Sequence, residues 1–232
     1  TLWTLCDQDD WHVFGTSAKY IAAIDKLSYQ PREKHQLTSL KAILSTGSPL
    51  AHESFDYVYR DIKEDIMLGS ISGGTDIVSC FCLSCPTIPV YRGELQCAGL
   101  GLAVDVVDDS GQSIIDEKGE LVCRKPFPVM PVRFLGDADS SKYRSAYFER
   151  FTGMWAHGDF AQRTEHGGFI IHGRADATLN PGGVRIGTAE IYRQVESVPA
   201  VLESLAISQT FGDDTRIVLF VVLREEVTLD DD

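Results

Sequence analysis

Basic residues are scarce in this chain. Lysine and arginine number 21 against 34 aspartate and glutamate, a formal net charge of −13, and a broadly acidic surface repels phosphate backbones instead of gathering them. Nucleic acid is thereby excluded as a general partner, and any anionic ligand must be held by single arginines, backbone N–H groups or a metal. Long apolar runs are also missing. No stretch approaches the roughly 20 apolar residues of a membrane-spanning helix, and the opening TLWTLCDQDD has neither the basic start nor the apolar block of a secretory signal. A cytoplasmic protein is expected. Metal spacing is lacking too: among Cys6, Cys80, Cys82, Cys85, Cys97 and Cys123, only Cys82 and Cys85 form a CxxC, and no second pair or close histidines complete a zinc site. Free buried thiols are the expectation.

What is present is ordinary globular material. The 232 residues are 44% hydrophobic and 24% charged, enough for one large core or two smaller ones. The chain opens on Thr1 and closes on TLDDD, and it is expected to be a piece of a longer protein. In LKAILSTGSPL a short apolar run breaks at Gly47, and Ser48 and Pro49 offer an N-cap and a first-turn proline. Phe55, Val58, Tyr59, Ile62 and Ile66 then recur at the spacing of one buried helix face. IMLGS follows as a buried strand ending at the glycine-rich SISGGTD. Strand, loop, helix, strand, loop is the grammar of a parallel α/β sheet with loops at its carboxyl edge.

After about residue 90 the grammar changes. LAVDVVDDSGQSII and GELVCRKP are alternating runs around turn residues, the signals of antiparallel hairpins, and a meander or small barrel is expected there. GGFIIHGR reads as another strand, TAEIYRQVESV as a helix through Ile191, Val195 and Val198, and RIVLFVVLRE as a β-branched strand. The loop between Gly173 and Gly183 is the candidate domain boundary.

Four stretches hold residues with the chemistry of a site. In SISGGTD, Gly73 and Gly74 let backbone approach a ligand, Thr75 adds a hydroxyl and Asp76 a hard oxygen of the type Mg²⁺ prefers; the same letters also make an ordinary turn. STGSPL ends the preceding strand at the same sheet edge, where open α/β sheets form ligand crevices. WAHGDF puts Asp159 at a strand end, where a carboxylate suits the two vicinal hydroxyls of a ribose. Arg174 follows the next strand with fixed donors. His157 and His172 are assigned to structure, since neither has a second ligand at metal spacing.

The order STGSPL, SISGGTD, WAHGD, GRADATLNPGGVRIGTAEI resembles that of the adenylate-forming enzymes, the superfamily of acyl-CoA synthetases, luciferases and carrier-loading adenylation domains. The resemblance extends over essentially the whole chain. It implies an α/β fold in which residues 1–175 are the C-terminal part of a large AMP-binding domain, with an α/β sheet over 1–90 and a barrel-like part over 91–175. Residues 176–232 would be a hinge and the start of a small α+β domain. It further implies that Gly47, Ser48 and Pro49 lie along an adenine, with Ser70, Ile71 and Ser72 on its other side. Thr75 would meet the α-phosphate, and Asp76 would stand where a glutamate usually helps hold Mg²⁺. Asp159 and Arg174 would hold the ribose, Asp176 would be the pivot, Gly182 and Gly183 would border CoA, and Arg185 would reach the phosphates.

Related acetyl-CoA synthetases carry tryptophan at the position of Gly73, and a hydrogen in its place is expected to open an acyl pocket for a larger acid. The activity so implied is ATP-dependent ligation of coenzyme A to a four-carbon keto acid, acetoacetate, or to another short or medium-chain acid. The implied partners are the small-molecule substrates ATP, acetoacetate and CoA. The family's glycine-rich phosphate loop and its adenylation lysine are not found in these residues, so no acid-dependent pyrophosphate exchange is expected of this polypeptide alone. Two readings compete with an enzyme fragment: a non-catalytic nucleotide or acyl-CoA binding module, and a carrier-loading domain.

Overall fold

The computed structural model describes residues 1–175, 178–179, 186–211, 214–224 and 227. Asp176, Gly182, Gly183 and Arg185 lie outside them. The chain divides into two compact units, Thr1–Ile171 and His172–Asp232.

The first unit begins with α1 (Leu2–Gln8), β1 (Val13–Ser17) and α2 (Ala18–Lys26). Ser17 caps α2 by accepting a hydrogen bond from the Tyr20 N–H, and Ala18, Ile21 and Ile24 put one face of the helix into the core. A short α3 (Pro31–Lys34), β2 (Ala42–Thr46), α4 (His52–Tyr57) and β3 (Met67–Ser70) follow. β1, β2 and β3 form a parallel sheet in that order. Its core is Trp3, Phe14, Ile43, Phe55, Val58 and Leu68, all buried, each stabilising the unit by about 1.5–3 kcal/mol.

The helix after Gly47 differs from its sequence pattern at both ends. It starts at His52 without a side-chain cap, because Leu50 is first drawn into the core at 5% exposure; Ser48 and Pro49 belong to the loop. α4 then widens into a π-helical turn over Val58–Ile62 and stops at the extended Lys63. The Lys63 ammonium donates to the Leu37 and Leu40 carbonyls, 2.8 Å each, pinning that exit. Ile66 is buried, but as the approach to β3, not as a further turn of the helix.

The rest of this unit is antiparallel. β4 (Ser72–Gly74), β5 (Ser79–Leu83) and β6 (Cys97–Ala98) make one sheet. β7 (Val104–Val107), β8 (Lys118–Cys123), β9 (Trp155–Arg163) and β10 (Phe169–Arg174) make another in the order β10-β9-β8-β7, with α5 (Ser141–Phe148) inserted before β9. A Leu95–Phe169 bridge ties residues beside β6 to β10. Among the described residues these pairings give two antiparallel sheets joined through that bridge.

The second unit contains β11 (Thr178–Leu179), β12 (Ile186–Gly187), α6 (Thr188–Glu196), β13 (Val201–Phe211) and β14 (Asp214–Leu223). β13 and β14 form a long antiparallel hairpin. Tyr192 and Glu196 of α6 hydrogen-bond Ala206 and Ser204 of β13. The described part of this unit is therefore α+β.

Candidate functional site

The parallel sheet brings two rims together. Ser45 of β2 is in register with Ser70 of β3, and the Ile71 N–H donates to the Ser45 carbonyl at 2.9 Å. Beyond these positions the chain leaves the carboxyl edge twice, as exposed Gly47 and Ser48 with half-buried Pro49, and as Ser70, Ile71 and Ser72. Gly47 has φ +88°, a left-handed turn that ends β2 without steric cost.

From Ser72 the chain does not form an open loop. It pairs as β4 with β5, with a register shift between Ser72 and Gly73. A Cβ on Gly73 would stand 2.1 Å from the Ser79 carbonyl oxygen and 2.6 Å from the Cys80 Cα. That space is filled by β5 backbone, so the glycine serves the close approach of two strands. A side chain at this position would have to displace that backbone.

The turn between β4 and β5 exposes Thr75 and Asp76 while Ile77 is buried. Asp76 is oriented by two donors, the Ile77 N–H at Oδ1 (3.1 Å) and the Tyr147 hydroxyl at Oδ2 (2.7 Å). Val78 closes the turn with φ +49°, a strained conformation for a β-branched residue. The Tyr147 phenol is held well above its ordinary range, first by burial and then by the Asp76 carboxylate.

β9 supplies the opposite wall. Ala156 pairs with Val122 and Phe160 with Glu120, so two extra residues bulge out of β9 opposite β8. Gly158 has φ +79° within the bulge, which re-aims the side chains beside it. His157 and Asp159 are 8% and 7% exposed. The Trp155 indole N–H donates to His157 Nδ1 at 3.4 Å, and His157 Nε2 stands 3.9 Å from Asp159 Oδ2. Tyr147 stacks on Trp155 with ring centroids 3.6 Å apart, and Phe81 lies 4.6 Å from the imidazole. The two walls meet at Gly74, where a Cβ would lie 2.2 Å from Asp76 Oδ1 and 2.7 Å from His157 Cε1. Burial, and then the Asp159 charge, push the Cys82 thiol well above its usual range.

The site thus joins an acceptor-only carboxylate, Asp159, to an imidazole and to a second, exposed carboxylate, Asp76. Among the described residues no group of three or more His, Cys, Asp or Glu is arranged for a metal ion. Asp76 offers an exposed hard oxygen donor, and each of its oxygens keeps a lone pair beyond the hydrogen bond it accepts. That fits Mg²⁺, which is commonly held by one or two carboxylates together with waters and substrate phosphates. Arg174 ends β10 as an exposed residue and falls in the second unit. All six cysteines are free. Tyr147, which the sequence does not single out, hydrogen-bonds Asp76, and His157, read from the sequence as structural, packs between Phe81 and Gly74. No described helix is long and apolar enough to cross a membrane.

No family model matches the chain. It is 61% identical over 217 residues to the acetoacetyl-coenzyme A synthetase of Rhizobium meliloti (strain 1021), a match covering 94% of this chain and 33% of that protein. The chain is a homologue of the acetoacetyl-CoA synthetases. It spans about a third of the length of the curated relatives it matches. The solved acetoacetyl-CoA synthetase from Streptomyces lividans superposes with a TM-score of 0.87 at 40% identity, over 99% of this chain and 35% of that one. The anthranilate CoA ligase AuaEII, in complex with anthranoyl-AMP, shares the fold with a TM-score of 0.76 at 20% identity, over 99% of this chain and 43% of its own.

Proposed function

We propose that the chain is the nucleotide-holding portion of an AMP-forming acetoacetate:CoA ligase. The observation that carries this is the meeting of Asp159, His157, Gly74 and Asp76 in a unit whose parallel-sheet edge presents Gly47–Pro49 and Ser70–Ser72. The identity to acetoacetyl-CoA synthetases supplies the acid and the thiol. In the reaction an acetoacetate oxygen attacks the α-phosphorus of ATP and expels pyrophosphate. The CoA sulfur then attacks the acyl carbonyl carbon and AMP leaves.

Gly47, Ser48 and Pro49 border one side of the adenine and Ser70, Ile71 and Ser72 the other. The Thr75 hydroxyl donates to the α-phosphate. Asp159 accepts hydrogen bonds from the ribose hydroxyls, and Arg174 and Arg185 donate to ribose and phosphates. Asp76 holds Mg²⁺, which when bound offsets the repulsion between two anionic reactants. Asp176 is the pivot of the C-terminal domain, and Gly182 and Gly183 border the CoA approach. The large domain ends near residue 175.

Calorimetric titration of the chain with AMP and with a non-hydrolysable acetoacetyl-adenylate analogue tests the proposal. Saturable binding of both is expected, weakened about tenfold or more by Asp159→Asn, which removes a charged acceptor. Absence of binding, or an unchanged affinity in Asp159→Asn, refutes it. Acid-dependent pyrophosphate exchange in a longer ligase chain that contains this segment separates the ligase from a non-catalytic module.

A further inference from the structure

We propose that Tyr147 is the positioning residue for Asp76, its phenol holding one oxygen of that carboxylate so that the remaining lone pairs are set for a divalent cation before the cation arrives. The inference rests on the reading of Asp76 as the Mg²⁺ holder given above, and it assigns a task to a side chain which that reading leaves idle.

Asp76 is exposed and stands in the turn between β4 and β5, where an aspartate side chain would ordinarily move among its rotamers. Its two oxygens are held from different directions. The Ile77 N–H donates to Oδ1 at 3.1 Å from within the turn, and Ile77 is 1% exposed, which anchors that donor in the core. The Tyr147 hydroxyl donates to Oδ2 at 2.7 Å from α5, 71 positions away along the chain. Two donors on two oxygens fix the plane of the carboxylate, and each oxygen retains a lone pair. A side chain ordered in advance gives up less conformational freedom when a ligand binds.

The phenol is itself held in place. Its ring stacks on Trp155 with centroids 3.6 Å apart, and Phe134 and Tyr143 meet it edge-on at 5.7 and 5.5 Å. Asp137 anchors α5 by accepting from the Lys142 and Tyr143 N–H groups. Charge separates this contact from an ordinary structural one. Asp56, Asp61 and Asp105 pair with Arg92, Arg60 and Arg124, and a guanidinium offsets the negative charge that would attract a cation. The donors to Asp76 are an amide and a phenol, both neutral. They orient the carboxylate and leave its charge whole.

The test uses Mn²⁺ in place of Mg²⁺, since both suit carboxylate oxygen. The ion is titrated into the chain with and without AMP and followed by the electron paramagnetic resonance of free Mn²⁺. The binding lost in Asp76→Asn defines the site. Tyr147→Phe keeps the stacked ring and removes only the hydroxyl. It is expected to weaken that site about tenfold, the scale on which a metal ligand's hydrogen-bonding partner matters, and to change nothing further in the Asp76→Asn background. A phenol that merely ties α5 to the turn would lower Tm in Tyr147→Phe and leave Mn²⁺ affinity unchanged, and that result overturns the proposal. If Asp76→Asn loses no Mn²⁺, the assignment of Asp76 to the metal fails, and the Tyr147 inference fails with it. A readout on the unsubstituted chain requires no variant to fold. Mn²⁺ is expected to broaden the Tyr147 ring signals in the NMR spectrum before those of any other tyrosine, and Tyr147 signals that stay sharp overturn the proposal.

Discussion

Replacing Gly73 by alanine tests whether β4 needs a bare backbone. The added methyl would stand 2.1 Å from the Ser79 carbonyl oxygen and 2.6 Å from the Cys80 Cα, whereas non-bonded atoms are comfortable at about 3.5–4.0 Å. Both obstacles are backbone atoms of a paired strand, so no side-chain rotation relieves them. The hairpin must open by roughly 1 Å, and overpacking of that kind costs about 1–3 kcal/mol. At about 2 kcal/mol, a unit of this size loses about 4–8 °C in Tm. Gly15→Ala is the control: its Cβ meets nothing within 4 Å, and alanine in a strand interior is stabilising by roughly 0.5–1 kcal/mol relative to glycine. Thermal unfolding followed by near-ultraviolet circular dichroism compares the two variants. Equal melting temperatures for Gly73→Ala and Gly15→Ala would refute the close-approach argument and restore the view that the hydrogen at Gly73 leaves open volume.

The tyrosines make stability sensitive to alkali. Tyr57 and Tyr147 are held neutral above the ordinary phenol range, first by burial and then by the carboxylates near them, Asp25 and Asp61 for Tyr57 and Asp76 for Tyr147. Their contribution is complete below about pH 10, where unfolded tyrosine ionises, and is lost as pH rises above it. Urea midpoints should fall above about pH 10 and fall less in Tyr147→Phe; a midpoint flat to about pH 11 contradicts this. For the thiols, hydrogen bonds with Thr87 lower the Cys85 pKa, while burial raises that of Cys82. Brief alkylation of the native chain, read by mass spectrometry, should therefore modify Cys85 first and leave Cys82 until unfolding, and early labelling of Cys82 contradicts its burial.

Elements whose pattern is local were legible in the sequence. β3, β10, α6 and the β7–β8 pair carry their period or turn residues within a dozen positions. β13 was missed because VLESLAISQTF has no clean alternation, and its eleven residues extend because β14 pairs along them. β1 was missed for a similar reason: VFGTS is half polar and gains its place by registering with β2. The helix after Pro49 was placed too early because a strong local cap signal lost to the burial of Leu50, a tertiary effect. Nothing within SISGGTD states that another strand's backbone lies beside Gly73, since that pairing is made by β5.

WAHGD is the more instructive stretch, since its glycine carries the signal of the bulge. In a regular strand Trp155, His157 and Asp159, at i, i+2 and i+4, would share one face. A lone histidine on an apolar face is most simply a packed core residue. Here the Trp155 indole N–H meets its Nδ1 at 3.4 Å and Phe81 lies 4.6 Å from the ring, which packs it in that way. The bulge at Gly158 shows why that arrangement survives in the fold. An unbroken ladder through Ala156 and Phe160 would commit this stretch to regular pairing with β8, and the two extra residues let His157 pack against Gly74. A glycine that permits left-handed backbone, set between a buried histidine and a buried aspartate, is thus a readable sign that the strand bulges there and that both side chains leave the regular ladder.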